Sequence, residues 1–215
     1  MEPIEKSLKS EKQIAVARLQ DLAMDSILSI DKGIILHGGT AIWRCFSGKR
    51  FSFDLDLYGS ERQLKKLLNG LTWEFSKRGI TMNYPVSTSR VIDIHEFNTS
   101  VKLEILKKPA GKKSVQKEYV KTDGTKMLIN TLSEEDFITE KMKAYKSRGY
   151  ARDLYDIYHL ISSSERLGQK TKKKLKAFLK SATPPKDEKQ LKELIYEGVA
   201  PTFDTIINYI KDAIK

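Results

Sequence analysis

Arg50-Phe51-Ser52-Phe53-Asp54-Leu55-Asp56-Leu57-Tyr58 is the stretch on which the reading of this chain turns. Apolar and polar residues alternate along it without a break. As a strand it carries Phe51, Phe53, Leu55 and Leu57 on one face and Ser52, Asp54 and Asp56 on the other. Asp54 and Asp56 then point the same way. Two bare carboxylates side by side repel each other, and each raises the other's proton affinity. A divalent cation between them removes that penalty. Hard oxygen ligands on a rigid strand suit Mg²⁺ or Mn²⁺ bound together with the phosphates of a nucleotide. Asp54 and Asp56 are therefore the first candidates for metal ligands and catalytic residues.

Just upstream, Ile34-Ile35-Leu36-His37 reads as a short buried strand, followed by a turn at Gly38-Gly39-Thr40. Thr40 is placed to cap a short helix ending at Phe46. Glycines let a backbone approach a phosphate, and helix N-terminal amides favour anions, so Gly38, Gly39 and Thr40 are candidate nucleotide-binding residues. An ordinary tight turn has the same composition. Downstream, Val101-Lys102-Leu103-Glu104-Ile105 alternates again. Glu104 is a candidate third metal ligand if its strand lies beside Asp54 and Asp56, and Lys102, on the same face, a candidate nucleotide contact. The competing reading is a solvated Lys/Glu face.

Around these pieces the pattern is mixed. Residues 5–30 predict a helix, closed by Gly33 as C-terminal cap. Ser60 caps another, bearing Leu64, Leu67 and Leu68, with a second short helix over Leu71–Lys77. Strands are expected at Ile80–Val86, Arg90–Phe97, Ser100–Leu106, Val115–Lys121 and Lys126–Asn130, the last two joined through Asp123-Gly124. From Ser133-Glu134-Glu135-Asp136, a capping-box-like start, everything reads helical, with breaks at Pro184-Pro185 and Pro201. The expected class is α+β, a mixed-sheet core with helices over 1–131, then a C-terminal helical bundle over 132–215.

The 215 residues carry a net charge of +11, which favours a polyanionic partner. Two lysine-rich segments are candidate RNA contacts, the turn Lys107–Lys113 and the helix Lys170–Lys180. A solvated surface is the alternative for both. The single cysteine, Cys45, sits in an apolar run and reads as a buried small hydrophobe. No stretch is long and apolar enough for a membrane span, and no signal-peptide core precedes the first helix, so a cytoplasmic location is expected.

The helical half contributes charge. Phe137, Lys141 and Tyr145 recur at i, i+4, i+8, which sets a lysine among aromatics on an inward stripe. Burying it unpaired would cost several kcal/mol, so Lys141 needs an anionic partner. Arg152 and Asp156 stand at i, i+4 on the next helix. Asp156 is the expected partner of Lys141, either holding its ammonium or acting on an attacking hydroxyl, and Arg152 is expected to hold Asp156. Lys141 and Asp156 are expected to face the Asp54–Asp56 pair.

His37-Gly38-Gly39-Thr40, Phe53-Asp54-Leu55-Asp56-Leu57, Lys102-Leu103-Glu104, Glu140-Lys141 and Arg152-Asp153-Leu154-Tyr155-Asp156 together resemble the AbiEii-type nucleotidyltransferases, toxins of bacterial and archaeal toxin–antitoxin systems. The matches fall in family order over residues 37–160. The resemblance implies a DNA-polymerase-β-like core, use of NTP and Mg²⁺, and, for several members, addition of nucleotides to tRNA 3′ ends, countered by an antitoxin. It implies catalytic roles for Asp54, Asp56, Lys141 and Asp156 and nucleotide contacts from Lys141 and Arg152. Three features depart from the family pattern. The spacing from Gly-Gly-Thr to Asp54 is longer, Glu104 stands where Asp is common, and Ile138 holds a place where the family has Thr. The expected function is NMP transfer from an NTP to RNA, with the tRNA 3′ end as acceptor. Transfer to a protein side chain, or non-catalytic nucleotide or RNA binding on the same fold, are the alternatives.

Overall fold

The computed structural model describes residues 3–84 and 90–215, and within them the chain divides into two compact units. Of the described residues, the first takes those up to Cys45 and those between Phe51 and Leu132, the second residues 46–50 and 133–215. Residues 46–50, assigned on sequence to the first domain, thus pack with the helical unit.

The first unit is built on one mixed seven-stranded sheet. Its strands are β1 (Ile35–His37), β2 (Leu55–Tyr58), β3 (Thr81–Asn83), β4 (Val91–Glu96), β5 (Thr99–Leu106), β6 (Ser114–Val120) and β7 (Lys126–Leu132), in the order β3-β4-β5-β2-β1-β7-β6. β2 runs parallel to β5 and antiparallel to β1, and β1 runs parallel to β7. Three helices belong to this unit: α1 (Glu11–Ile30), α2 (Gly38–Cys45) and α3 (Glu61–Ser76). Alternation decides which sheet face is buried. Leu36, Leu55, Leu57, Val101, Leu103 and Ile105 are all but inaccessible, and the residues between them are the polar ones.

Several boundaries differ from expectation, each for a local reason. Residues 5–30 split into a short 3-10 turn, Ile4–Ser7, and α1, because Ser10 caps α1 by accepting from Gln13 N. Asp31 rather than Gly33 ends that helix, and the Asp31 carboxylate accepts from Gly33 N in the turn that follows. α2 starts at Gly38, not at Thr40, whose hydroxyl donates to Asp54 O instead of capping the helix. α3 runs straight through Gly70 as one helix, closed at its start by a Ser60–Gln63 capping box. The alternating stretch from Arg50 becomes strand only at Leu55. Phe51 is fully buried while Phe53 is 40% exposed, so the alternation does not describe one face there. The Asp123-Gly124 hairpin forms as expected, with Gly124 at φ 87°. The end of the strand expected at Ile80–Val86 lies outside the described residues.

The second unit is all helix: α4 (Glu134–Arg148), α5 (Ala151–Ser163), α6 (Gln169–Leu179), α7 (Glu188–Leu194) and α8 (Phe203–Ala213). Ser133 caps α4, and Gly149, in the left-handed region at φ 67°, ends it. The mixed α+β class and the helical C-terminal part are as the sequence implies. Among the described residues no helix is long and apolar enough to cross a membrane.

Candidate active site

In the first unit the register brings the expected acids to neighbouring positions. Asp56 on β2 pairs with Glu104 on β5 and with His37 on β1. All three side chains therefore project from the same sheet face. Asp54 stands just before β2, outside the strand, and is exposed, whereas Asp56 is half-buried. Its backbone is pinned by the Thr40 hydroxyl, 2.5 Å from Asp54 O. Thr40 is fully buried, so it fixes Asp54 rather than touching a ligand itself.

Gly38 is required where it stands. It takes a φ of 75°, and a Cβ there would fall 2.0 Å from Asp56 Oδ2. The turn thus packs its backbone directly against the Asp56 carboxylate. Gly39 is buried behind it. The His37 ring stacks on Tyr58, centroids 3.6 Å apart and nearly parallel, which braces β1 against β2 beside Asp56. Lys102 is exposed on β5, opposite Asp93 of β4, and lines with Asp54 a recess of about 320 Å³ that also includes Lys12 and Ser100.

Among the described residues, no group of three or more acidic, His or Cys side chains converges tightly enough to enclose an ion. Asp54, Asp56 and Glu104 accordingly do not form a closed cage. Mg²⁺ does not need one: it is held by one or two carboxylates and completes its shell with water and substrate phosphates. An all-oxygen set on a strand, with Asp56 backed by Glu104, fits that mode.

The second unit carries a buried charge cluster. Phe137, Lys141 and Tyr145 form the expected inward stripe of α4, all nearly inaccessible. Lys141 Nζ lies 2.6 Å from Asp156 Oδ2 and 3.6 Å from Asp153 Oδ1. The expected Lys141–Asp156 pair is present. The expected Arg152 clamp is not. Arg152 is half-exposed, with its guanidinium 5.4 Å from the Tyr150 ring centre. Asp156 points into the core and is held instead by Arg50, whose Nε and Nη2 each donate to it at 2.6 Å. Asp153, fully buried, takes a second bidentate pair from Arg148 at 2.6 and 2.7 Å.

Arg50 is the residue that sequence reasoning missed. It was read as the polar start of a strand, but it forms an isolated bridge with Ile195 and sends its side chain to Asp156. Burial alone would push the Asp156 carboxyl up. The neighbouring Arg50 and Lys141 charges outweigh it and hold the carboxyl below its usual range. With both oxygens occupied by cations, Asp156 is suited to fixing Lys141 and not to taking a proton. The only sequence signal for Arg50 was a buried carboxylate in need of a second cation.

Most of the chain matches a known family in sequence. The model of the nucleotidyl transferase AbiEii toxin family, type IV toxin–antitoxin system, matches residues 22–204. The chain belongs to the AbiEii nucleotidyltransferase toxin family. Its fold is also similar to that of MenT4, a nucleotidyltransferase toxin from Mycobacterium tuberculosis, with a TM-score of 0.65 at 15% identity over 96% of this chain and 84% of that one. JHP933 from Helicobacter pylori is similar too, with a TM-score of 0.59 at 19% identity over 96% of this chain and 92% of that one. No curated protein is detectably similar in sequence. Membership makes this AbiEii protein a nucleotidyltransferase, with a nucleotide substrate and an antitoxin counterpart.

Proposed function

We propose that this AbiEii toxin transfers a nucleoside monophosphate from an NTP to an RNA acceptor, the 3′ end of a tRNA, with Mg²⁺ as the divalent ion. The observation that carries the reading is the placement of Asp56 beside Glu104, with Gly38 packed against the Asp56 carboxylate. In this reading Asp54, Asp56 and Glu104 hold Mg²⁺, and Mg²⁺ or Mn²⁺ supplies charge neutralisation at the phosphates. Gly38 offers backbone to the nucleotide, and Lys102 stands in the recess beside Asp54. Lys141 provides a protein cation for a phosphate oxygen. Asp156, clamped by Arg50, orients that ammonium. Phosphoryl transfer of this type depends on positioning and charge stabilisation, and both sets of residues are fixed by packing or ion pairs.

The test is incubation with labelled NTPs, Mg²⁺ and total RNA, followed by asking which macromolecule gains label. RNA labelling that EDTA abolishes, and that Asp56→Ala reduces to background with the fold intact, is expected. Label on protein alone would overturn the RNA acceptor. Near-wild-type transfer by Asp56→Ala would overturn the metal assignment.

A further inference from the structure

A cleft of about 670 Å³ opens in the first unit where β2 ends and α3 begins. Four cations line it: Arg62 from the first turn of α3, Arg90 just before β4, and Lys107 and Lys108 just after β5. Glu61 is the single acidic side chain on its wall, and it lies 3.6 Å from Arg90. Arg90 also donates to Ile105 O at 3.3 Å, so it is partly committed to the fold. Arg62, Lys107 and Lys108 form no ion pair among the described residues. Three segments distant in sequence therefore converge on one recess, and two of them, the start of α3 and the turn after β5, bring cations without an ion pair among the described residues. Such a concentration of one sign raises the local density of an anionic ligand. The end of α3 is not what would attract it, since Ser60 and Gln63 already close that helix start.

The position of the cleft bears on its ligand. Tyr58 and Ile35 line it, and both project from the same sheet face as Asp56 and His37. At a strand rise of about 3.3 Å per residue, Tyr58 lies roughly 7 Å beyond Asp56. If the transferred nucleotide's phosphates bind at the acids, these cations serve phosphates further along. A polynucleotide strand goes on presenting one phosphate per nucleotide, whereas a nucleotide's phosphates end with one short triphosphate chain.

Resting on the proposed RNA acceptor, we propose that this cleft binds the sugar–phosphate backbone of the acceptor strand. Arg62, Lys107 and Lys108 meet successive phosphates and read no base. From the basic turn that follows, Lys112 Nζ lies 5.9 Å from the ring centre of Tyr58, which lines the cleft.

The test uses the full chain and Arg62→Gln/Lys107→Gln/Lys108→Gln. Binding of a fluorescein-labelled single-stranded RNA ending in CCA is followed by anisotropy across a salt series. Loss of three phosphate contacts should weaken binding by at least about tenfold and lower the salt slope by ~2. In turnover the KM for RNA should rise, with kcat and the KM for NTP retained. RNA affinity and salt slope equal to wild type would overturn the proposal. So would a loss confined to inorganic triphosphate binding, measured by calorimetry without RNA, which would make the cleft a nucleotide site. Binding is read independently of transfer, so a wild-type protein that fails to label RNA refutes the acceptor reading while the cleft is still judged on its own.

Discussion

Each unit buries an arginine against an aspartate, and the two pairs are built differently. In the first unit Arg44 Nη2 lies 3.3 Å from Asp21 and also donates to Ala17 O and the Thr122 hydroxyl, while Nη1 donates to Val120 O. Trp43 lies under its guanidinium, 3.9 Å away, and Asp21 also accepts from the Tyr119 hydroxyl and from Thr122 N. One cation meets one anion, and backbone and hydroxyl groups supply the other partners. In the second unit three cations, Arg50, Lys141 and Arg148, converge on two carboxylates, Asp153 and Asp156. A one-to-one pair tied into backbone pins strands and helices together. In the second cluster the carboxylates hold cations from three different positions, and Lys141 is the one proposed to reach a phosphate.

Arg50 is where breaking the second cluster should cost most. Asp156 would keep only Lys141, and removing one partner of a buried pair typically costs about 3–5 kcal/mol. Arg50→Ala is expected to lower the unfolding free energy by that amount, read from the shift in denaturation midpoint, and to reduce transfer along with it. Arg50→Lys should recover part of the stability but not the bidentate hold, leaving kcat depressed. A midpoint unchanged in Arg50→Ala would mean that Lys141 alone satisfies Asp156.

Lys141→Ala separates activity from stability. Asp156 keeps both bonds to Arg50. The fold should therefore survive, while the loss of a charge-stabilising donor lowers kcat by about 10²–10³. Steady-state kinetics beside a thermal melt make the comparison. Retained kcat would reduce the second cluster to the same structural role as the first.

How much of this was legible in the sequence follows from the range of each interaction. The Phe137–Lys141–Tyr145 stripe and the Ser133 cap of α4 are local, and the helical period or capping chemistry exposes them. The Asp56–Glu104 adjacency rested on alternation in two segments and needed only that they be neighbours, which the register supplies. Alternation misled at Phe51–Asp54, because buried aromatics also occur in irregular chain beside a core: the Phe51 ring packs 4.6 Å from Trp43. Arg50 could not be assigned, since its partner lies 106 residues away. Arg152 was preferred because i, i+4 spacing is visible and a distant bidentate pair is not. The Arg44–Asp21 pair was missed for the same reason, a separation hidden in an apolar run.

Arg44→Leu is the matching break in the first unit. Asp21 would keep the Tyr119 and Thr122 donors, so the cost should be smaller, about 1–3 kcal/mol for the groups left without a partner. Transfer per folded molecule should stay at the wild-type level. Loss of kcat with the melt unchanged would show that the balanced cluster also serves the reaction.

The smallest expected effect is a difference in acid sensitivity. The Asp156 carboxyl is held below its ordinary range by Arg50 and Lys141 against the opposing pull of burial. A carboxylate whose folded pKa lies under its unfolded value of about 3.9 stabilises the fold above that pH, and the contribution is lost as pH falls through the folded value. Wild-type melting temperature should therefore drop as pH is lowered from about 5 toward 3, with Asp156 responsible for part of the slope. Asp156→Asn cannot ionise, and it leaves Arg50 and Lys141 without their carboxylate. Its melting temperature should be lower throughout but should fall less steeply over the same interval. Parallel curves for the two proteins would mean that other carboxylates carry the whole acid dependence, and that Asp156 is held by geometry without a folded-state preference for its charged form.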